Sequence, residues 1–389
     1  MVDRRRERSD SRVMLITRNL PPLLGGMERL NLHIVQALAD AHDVGVVGPA
    51  GCSAHLPSQV EAREVPAKPL WQFIARGASA GMAMARRRRP RWVIAGSGLA
   101  APLAWVAARL GGARSAVYLH GLDIVVRNRA YRLLWLPFIR RCDLAIANSR
   151  NTRELAIQAG VPSARIVVIN PSADPPGIVR DTAVADFRSK HGLGDRPLLV
   201  SVGRMTPRKG LAEFARKAFP QIVARYPAVC LVVVGNEAPD ALAGGVAGAA
   251  RAGFEHAISE LGLAANVCNV GTCSDAMLSA VYCAASVHVF PVIPVPGDVE
   301  GFGMVALEAA AHGLPTVAFD VGGIADAVGE GESGYLVESG DYAAFSSRVL
   351  ELLGAAGNIP TADSARAFAS TRTRAGFAAA LKSCLGLSQ

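Results

Sequence analysis

Short apolar runs alternate with amphipathic segments along the first half of the chain. The runs that predict strands are residues 13–17, 44–48, 92–95, 116–119, 144–147 and 166–169. Helical periodicity fills the intervals, as at 28–41 and at 152–159, where Gly160 follows as a helix-ending residue. Buried strands that alternate with helices are typical of a parallel sheet covered by helices on its faces.

The same alternation restarts after a stretch rich in Pro, Asp and Ser at 171–177, which predicts a linker between two domains. The later predicted strands are residues 198–202, 229–234, 267–270, 287–290 and 316–319, and the predicted helices are 211–224, 275–283 and 302–312. The Ala- and Gly-rich patch at 242–253 predicts a loop. We therefore predict an α/β fold of two Rossmann-like, doubly wound domains, 1–178 and 179–370, that face each other across a ligand-binding cleft.

Composition agrees with this fold class. Hydrophobic residues make up 51% of the chain, and a composition rich in Ala, Val, Leu and Gly suits α/β layers better than an all-β sandwich. The seven cysteines include no Cys-x-x-Cys pair, so they indicate neither a disulfide framework nor a zinc site and favour the reducing cytoplasm. Residues 1–12 are charged and expected to be disordered, and no apolar run predicts a transmembrane helix.

Charge is distributed unevenly between the two predicted domains. Residues 1–178 contain 25 Lys and Arg against 12 Asp and Glu, a net charge of +13, whereas residues 179–389 carry a net charge of −4. Such asymmetry predicts an anionic partner for the first domain, which leaves a membrane surface, a nucleic acid or an acidic acceptor as alternatives.

Two glutamates bracket a glycine-rich helix start after the predicted strand 287–290. Glu300 precedes Gly301 and Gly303, and Glu308 lies more than one turn into the helix. Glycine allows a ligand to approach the backbone closely, and the first free N–H groups of a helix bind phosphate. The two carboxylates then suit a ligand whose phosphates lie between a sugar and a ribose. The alternative is a pair of solvated glutamates that the helix dipole favours.

A basic loop follows the predicted strand 198–202. Arg204 and Lys209 lie there, at the carboxyl end of the sheet, where α/β proteins bind their ligands. A diphosphate needs nearby cations, and Arg offers it a planar fork while Lys offers a point charge. The alternative is an ordinary basic surface turn.

Two weaker signals lie in the first domain. Gly25 and Gly26 open the helix after the first strand, where backbone amides can contact an anion or a sugar. His120 follows the strand 116–119, where an imidazole can hydrogen-bond a sugar hydroxyl or a phosphate. The alternatives are glycines of an ordinary loop and a structural histidine.

These motifs stand in the order found in the family 4 retaining glycosyltransferases of the GT-B fold, which the chain resembles over nearly its whole length. The most specific element is the Glu-x7-Glu segment from Glu300 to Glu308 with the Gly-Leu-Pro that follows it. The pair Arg204 and Lys209 comes next in specificity, and the glycine pair and the histidine of the first domain support the resemblance.

The resemblance implies a role for each matching residue of the second domain. Arg204 and Lys209 bind the diphosphate and stabilise the leaving nucleotide. Glu300 accepts hydrogen bonds from the donor sugar, and Glu308 holds the ribose. Further donor contacts come from the backbone at Phe302, Gly303, Met304 and Val305.

The resemblance also implies roles outside that domain. Gly25 and Gly26 approach the diphosphate, His120 lies near the donor sugar, and a last helix within 371–389 crosses back to the first domain. Transfer retains the anomeric configuration and uses the leaving phosphate as base. It needs neither a divalent metal nor a cofactor beyond the nucleotide-sugar donor.

The basic first domain bears on the acceptor. Arginines gather at 86–91 and at 129–141, where they are mixed with Trp, Phe and Leu, a composition that predicts an interfacial surface on anionic lipid. The alternative is an ordinary solvated face above core aromatics. We expect a saccharide or lipid-linked acceptor in cell-surface polysaccharide or lipopolysaccharide synthesis, and a cytoplasmic enzyme peripheral to the inner face of the membrane.

Three other functions fit parts of the sequence. The segment 96–101 matches the dinucleotide fingerprint of a nicotinamide-dependent oxidoreductase, but no acidic residue follows at the required spacing. The basic half fits a nucleic-acid binder, but it contains no helix-turn-helix, zinc-finger or stacking motif, and we expect no nucleic-acid partner. A sugar-nucleotide epimerase or a phosphorylase of the same fold would share the diphosphate site.

Overall fold

The computed structural model describes residues 12–173, 176–236, 248–354 and 360–387. The expected disorder of 1–12 therefore falls, apart from Arg12, outside the described residues. The chain divides into two compact units, which we call the N-terminal unit (Met1–Ser172 with Arg374–Gln389) and the C-terminal unit (Ala173–Thr373). The chain therefore passes from one unit to the other after Ser172 and after Thr373, whereas the predicted boundaries are 178 and 370.

The N-terminal unit is built on a seven-stranded parallel sheet with the order β3-β2-β1-β4-β5-β6-β7. Its strands are β1 (Arg12–Ile16), β2 (Asp43–Pro49), β3 (Glu61–Val65), β4 (Trp92–Ala95), β5 (Arg114–Leu119), β6 (Leu144–Ala147) and β7 (Ile166–Val168). Its first helices are α1 (Gly26–Ala39), α2 (Leu70–Arg88), α3 (Ala101–Gly111), α4 (Leu122–Val125), α5 (Arg129–Leu134), α6 (Leu136–Arg141) and α7 (Arg150–Gln158). The apolar pattern predicts all of these strands except β3, an edge strand whose Glu and Arg side chains leave only Val65 buried.

Helix α2 packs on this sheet through one face. Phe73, Gly77, Gly81 and Met84 recur on that face every three or four residues and are buried. A Cβ atom at Gly81 would lie 2.8 Å from the Cδ1 atom of Ile16. Glycine at this position therefore lets the helix approach β1 closely and fixes the layer that supports the carboxyl ends of the central strands.

The C-terminal unit repeats the architecture with six parallel strands in the order β10-β9-β8-β11-β12-β13. They are β8 (Leu198–Val202), β9 (Cys230–Val234), β10 (Val267–Gly271), β11 (Val287–Phe290), β12 (Thr316–Phe319) and β13 (Gly334–Val337). The helices are α8 (Asp181–Lys190), α9 (Leu211–Lys217), α10 (Phe219–Arg225), α11 (Ala249–Glu260), α12 (Asp275–Ala284), α13 (Met304–Ala311), α14 (Tyr342–Leu353) and α15 (Ala362–Ser370). The short edge strand β13 was not predicted.

Two predictions for this unit are wrong in detail. The predicted helix 211–224 is divided into α9 and α10, because Pro220 lacks the N–H that would continue the first helix. Of the predicted loop 242–253, residues 242–247 lie outside the described residues, and Ala249–Gly253 form the first turns of α11. This helix buries Phe254, Ala257 and Ile258 at helical spacing, so its apolar face begins beyond the Ala- and Gly-rich patch.

Each sheet contains one point where the strand order reverses. These points lie between β1 and β4 in the N-terminal unit and between β8 and β11 in the C-terminal unit. In open α/β sheets the connections diverge at such a point and leave a crevice at the carboxyl ends of the strands, where ligands bind. The loops after β1, β8 and β11 contain the sequence motifs, so the topology places these motifs at the expected edges.

The last helix, α16 (Arg374–Leu385), belongs to the N-terminal unit. It buries Phe377, Leu381 and Leu385, and the indole Nε1 of Trp92 donates a hydrogen bond of 2.7 Å to the carbonyl oxygen of Leu385. Full burial of such side chains stabilises by about 1.5–3 kcal/mol each. The C-terminal segment is therefore a structural part of the N-terminal unit.

Candidate active site

Two loops of the C-terminal unit meet at its reversal point. The first follows β8 and ends in the turn Pro207–Lys209 and Gly210, and the second follows β11. The backbone N–H of Ile293 donates a hydrogen bond of 2.9 Å to the carbonyl oxygen of Arg208. Gly210 has φ +67°, and a Cβ atom there would lie 2.0 Å from the carbonyl oxygen of Pro291. Glycine is therefore required where the two loops touch.

The contact between these loops creates a group of four charged side chains, Arg208, Lys209, Asp298 and Glu300, which we call the four-charge cluster. Lys209 Nζ donates a hydrogen bond of 2.8 Å to Glu300 Oε2, and Arg208 donates to the same oxygen. Arg208 Nε also lies 3.1 Å from Asp298 Oδ1. All four side chains are between 11% and 14% exposed, so the cluster is largely buried and its formal charges cancel.

The surroundings fix the charge of Glu300. Burial by itself would raise the pKa of this carboxyl group, but the positive charges and hydrogen bonds of Lys209 and Arg208 outweigh burial and hold the pKa at about 2. For Lys209, burial is the largest influence and lowers the pKa, while Glu300 opposes it. Glu300 is therefore an ionised, acceptor-only group at neutral pH. Its Oε1 atom has no hydrogen-bond partner among the described residues.

Lys209 also lies over an aromatic ring, with Nζ 4.5 Å from the ring centre of Phe290 at the end of β11. Arg204, in contrast, is exposed and has no ion pair within the described residues, although its charge is a minor cause of the lowered pKa of Lys209, after burial. The structure thus brings Lys209 and Glu300 together as the sequence predicts and places Arg204 outside the buried cluster.

The helix start after Glu300 presents backbone rather than side chains. Helix α13 begins after Gly303, which has φ +98° and provides no side-chain cap. Phe302 is buried, and Met304 and Val305 are partly buried against the core beneath it. The amides of this segment are consequently the groups that can face a ligand, as the predicted role requires. Glu308 lies in the second turn, where its Oε2 atom is 3.4 Å from the hydroxyl oxygen of Tyr282.

Sequence reasoning missed Arg208, Asp298 and the loop that supports Glu300 from behind. The N–H of Gly323 donates a hydrogen bond of 2.8 Å to the Glu300 carbonyl oxygen. A signal was present for the charges, since Arg208 precedes Lys209 directly and Asp298 stands two positions before Glu300. The pairing itself joins residues about ninety positions apart, which no local pattern indicates.

In the N-terminal unit, His120 is held in one tautomer at the end of β5. Its Nε2 atom lies 2.9 Å from the carbonyl oxygen of Gly96, and its backbone N–H donates to Asp123 Oδ2 at 3.0 Å. Because a carbonyl oxygen only accepts, Nε2 must carry the hydrogen. The Nδ1 atom of the neutral ring is then the acceptor, which suits a sugar hydroxyl.

The predicted anion site at Gly25 and Gly26 contains an acidic side chain. Glu28 folds back over the start of α1, so that a Cβ atom at Gly25 would lie 2.4 Å from Glu28 Oε2. Its other oxygen accepts a hydrogen bond of 2.7 Å from Asn19. This carboxylate favours a hydroxyl donor over a phosphate at the helix start, and the diphosphate role of the two glycines stays a prediction.

The dinucleotide-like segment 96–101 has a packing role. A Cβ atom at Gly96 would lie 2.2 Å from the Oδ1 atom of Asn31, and one at Gly98 would lie 2.8 Å from the hydroxyl oxygen of Tyr131. Protein side chains fill the space that a pyrophosphate would need beside these glycines, which argues against the oxidoreductase alternative.

Known proteins share this architecture and sequence. Residues 24–175 match Glycosyltransferase Family 4, and residues 184–363 match Glycosyl transferases group 1. A GDP-mannose-dependent alpha-(1-6)-phosphatidylinositol monomannoside mannosyltransferase of Mycobacterium tuberculosis (strain ATCC 25618 / H37Rv) is 30% identical over 369 residues, which cover 88% of this chain and 89% of the relative. The protein of the same name from Mycolicibacterium smegmatis is 29% identical over 359 residues, with the same coverage.

The chain belongs to glycosyltransferase family 4. Its structural neighbours include Anabaena Alr3699/HepE in complex with UDP-glucose, with a TM-score of 0.77 and 20% identity over 96% of this chain and 99% of that one. WaaG, a glycosyltransferase involved in lipopolysaccharide biosynthesis, gives a TM-score of 0.67 and 18% identity over 96% and 100%. The predicted GT-B fold, family and enzyme class are confirmed, and the chain is a nucleotide-sugar-dependent glycosyltransferase.

The arginine-rich surfaces of this family 4 glycosyltransferase differ from each other. In the segment 86–91, Arg87 and Arg88 are paired with Glu61, and Arg88 also with Asp43, so neighbouring strands neutralise part of the predicted basic patch. Among the described residues, none of the helices combines the length and apolar character needed to cross a bilayer.

The segment 129–141 forms the short helices α5 and α6 instead of one interfacial helix. Leu133 and Leu134 are 75% and 55% exposed, whereas Leu136 is buried in the core. Arg129 and Arg132 are also exposed, and among the described residues neither of them forms an ion pair with a carboxylate. This second stretch is therefore the one in which exposed apolar and unpaired basic side chains coincide.

Proposed function

We propose that the enzyme transfers a hexosyl unit from a nucleotide-diphosphate sugar to a saccharide or lipid-linked acceptor, with retention of the anomeric configuration and without a divalent metal. GDP-mannose is the first candidate donor, because the relatives that match most of the chain are named as GDP-mannose-dependent enzymes. The names of those relatives also specify a lipid acceptor, which supports a role in the assembly of cell-surface polysaccharide or lipopolysaccharide at the inner face of the cytoplasmic membrane.

The observation that carries the proposal is the contact between Lys209 and Glu300 at the reversal point of the sheet. A cation and an ionised acceptor lie 2.8 Å apart there, directly before a helix start whose amides are free of side-chain caps. A diphosphate bound to Lys209 and to these amides would bring the attached sugar beside Glu300, whose Oε1 atom can accept a hydrogen bond from a hydroxyl.

In the proposed reaction the bond between the sugar C1 atom and the phosphate oxygen breaks, and the acceptor oxygen bonds to C1 from the same face. The acceptor hydroxyl gives its proton to the leaving phosphate. Negative charge develops on the departing nucleotide, and Lys209 and Arg204 stabilise it by fixed positive charge. His120 Nδ1 orients a donor-sugar hydroxyl, and Glu308 holds the ribose.

A thermal-shift panel of sugar nucleotides tests the donor. At a donor concentration of 100 Kd, binding stabilises the folded protein by about 2.7 kcal/mol, and only the true donor should raise Tm by this mechanism at a concentration where the others do not. GMP, which lacks the second phosphate, is the matched control for GDP. Equal shifts for every sugar nucleotide, or none for any, would refute a specific donor site.

Product analysis tests the reaction itself. With donor and acceptor both present, the new linkage should have the α configuration of the donor, as read from the anomeric coupling in the product NMR spectrum. Conversion of the donor in the absence of an acceptor, or with inorganic phosphate in its place, would instead identify an epimerase or a phosphorylase.

The membrane role rests on the exposed pair Leu133 and Leu134 beside Arg129 and Arg132. Each basic residue near an anionic surface contributes about 1 kcal/mol, and exposed leucines add apolar burial. In liposome flotation at low salt, the enzyme should float with anionic vesicles, and the double change of both leucines to Ser should reduce recovery. Equal recovery with neutral and anionic vesicles would refute this part of the proposal.

A further inference from the structure

Arg208 is a nearly buried arginine that touches two carboxylates and has no assigned role. Its side chain is 11% exposed, and its guanidinium contacts both Asp298 and Glu300. A charge in such a place is expensive unless ion pairs and hydrogen bonds offset the loss of water. Its position between two carboxylates in the crevice therefore points to a role in the charge arrangement of the donor site.

Two cations, Arg208 and Lys209, contact Glu300, and Lys209 is also proposed to bind the diphosphate. Both Arg208 and Lys209 donate to the same oxygen, Glu300 Oε2. If Lys209 is to bind a diphosphate, it cannot at the same time be the sole counter-charge of Glu300. Arg208 can stay hydrogen-bonded to Glu300 while Lys209 binds the donor, because its contact with Asp298 holds the guanidinium in place.

The backbone of Arg208 strengthens this link between the loops. Its carbonyl oxygen accepts the N–H of Ile293 at 2.9 Å, while its side chain reaches Glu300 further along the same loop. The residue therefore fixes both the start and the end of the loop that carries the sugar-binding carboxylate. A planar guanidinium can contact two carboxylates at once, which the single ammonium group of a lysine does less well.

We propose that Arg208 is a positioning residue that, anchored by Asp298, keeps the Glu300 carboxylate ionised and in place so that Lys209 is free to bind the donor diphosphate. The inference rests on the proposed donor site. It assigns Arg208 no contact with the donor, so its effects must act through Glu300.

A double-mutant cycle tests this dependence. Arg208→Met should lower kcat/KM by roughly 10- to 100-fold, the range expected for loss of a hydrogen bond to a charged group. In the Glu300→Gln background the same change should have little further effect, since the carboxylate that it serves is gone. Arg348→Met removes a surface Arg–Glu pair with Glu351 and is the matched control, with kcat/KM unchanged.

The pH dependence distinguishes positioning from a merely structural effect. The charged groups that act on Glu300 are Lys209 and Arg208. Asp298 contacts Arg208, and the charge of Arg204 acts on Lys209. The buried His288 of β11, whose pKa burial lowers to about 3, is neutral. Removing Arg208 removes a positive charge, so the pKa of Glu300 should rise. The pH below which kcat/KM falls should then be higher in Arg208→Met. In Arg208→Lys, which retains a positive charge, that pH should be unchanged while kcat/KM itself decreases.

The outcomes separate this inference from the proposed function. If the losses in kcat/KM from Arg208→Met and Glu300→Gln multiply in the double variant, or if the pH below which kcat/KM falls does not move, the positioning role is overturned. The proposed transferase function would stand in either case. Failure of the unaltered enzyme to use any nucleotide sugar would overturn the donor site and this inference with it. If Arg208→Met does not fold, as judged by its thermal transition, Arg208→Lys takes its place in the cycle with the same criterion.

Discussion

The contact between Gly210 and Pro291 allows a stability prediction with a matched control. Gly210 has φ +67° and is buried, and a Cβ atom there would lie 2.0 Å from the Pro291 carbonyl oxygen. Gly262, at the surface after α11, has nearly the same φ of +66° but nothing within 4 Å of the added carbon. The two Gly→Ala changes therefore share the backbone strain and differ in the clash.

The magnitudes follow from these two terms. A left-handed conformation disfavours alanine by roughly 1–2 kcal/mol relative to glycine, and this is all that Gly262→Ala should lose. Gly210→Ala must in addition push the Pro291 carbonyl away by about 1 Å, and forced rearrangement of a packed site costs about 1–3 kcal/mol more. The expected total loss in unfolding free energy is about 2–5 kcal/mol, or several degrees in the Tm of a unit of this size.

The same displacement of the Pro291 carbonyl should also lower the catalytic efficiency. Pro291 begins the loop that ends at Glu300, and displacing the carboxylate proposed to position the donor sugar by about 1 Å can lower kcat/KM on the order of 100-fold. Chemical denaturation and donor kinetics of both variants would measure the two effects. If Gly210→Ala unfolded at the same midpoint as Gly262→Ala and kept full kcat/KM, the tight apposition of the two loops would be refuted.

Three further predictions test other parts of the structure. Glu300→Ala should abolish transfer and also lower the unfolding free energy by about 3 kcal/mol, because it leaves Lys209 and Arg208 with one buried carboxylate between them; unchanged chemical denaturation would contradict the cluster. Leu381→Ala should lose about 2–5 kcal/mol in the N-terminal unit, whereas Leu133→Ala at the surface should lose less than about 0.5 kcal/mol; equal losses would argue against the docking of the last helix. Because side-chain cations are proposed to balance the diphosphate, EDTA should leave kcat/KM unchanged, and a loss that magnesium restores would contradict metal-independent transfer.

Much of the fold was readable from local pattern. Buried strands are continuous apolar runs and their covering helices are amphipathic, so the alternation alone predicts two parallel sheets. The strands that escaped prediction, β3 and β13, lie at sheet edges. In β3 the exposed Arg63 and Glu64 leave only Val65 buried, so the apolar pattern is weak there. Strand β13 is largely buried, but it is only four residues long and begins with a glycine, so its run is too short to stand out as a pattern.

The amount of unpaired surface charge was the property least predictable from the sequence. The cluster at 86–91 predicted an open basic patch, but Asp43 and Glu61 from neighbouring strands neutralise part of it. A local run of arginines shows how much charge is present and not what lies opposite. Net local charge therefore overestimates the free charge of a surface wherever the fold supplies distant carboxylates.

The sequence by itself determined which residues stand at the carboxyl ends of the strands, because strand period and loop glycines are local properties of the chain. Only the tertiary structure decided which of these residues meet. Arg208 and Glu300 are 92 positions apart, and they pair because β8 and β11 are neighbours in the sheet order and Gly210 lets their loops touch. Electrostatic effects depend on distance and burial in space, so the pKa of Glu300 belongs to the folded chain and not to its motif.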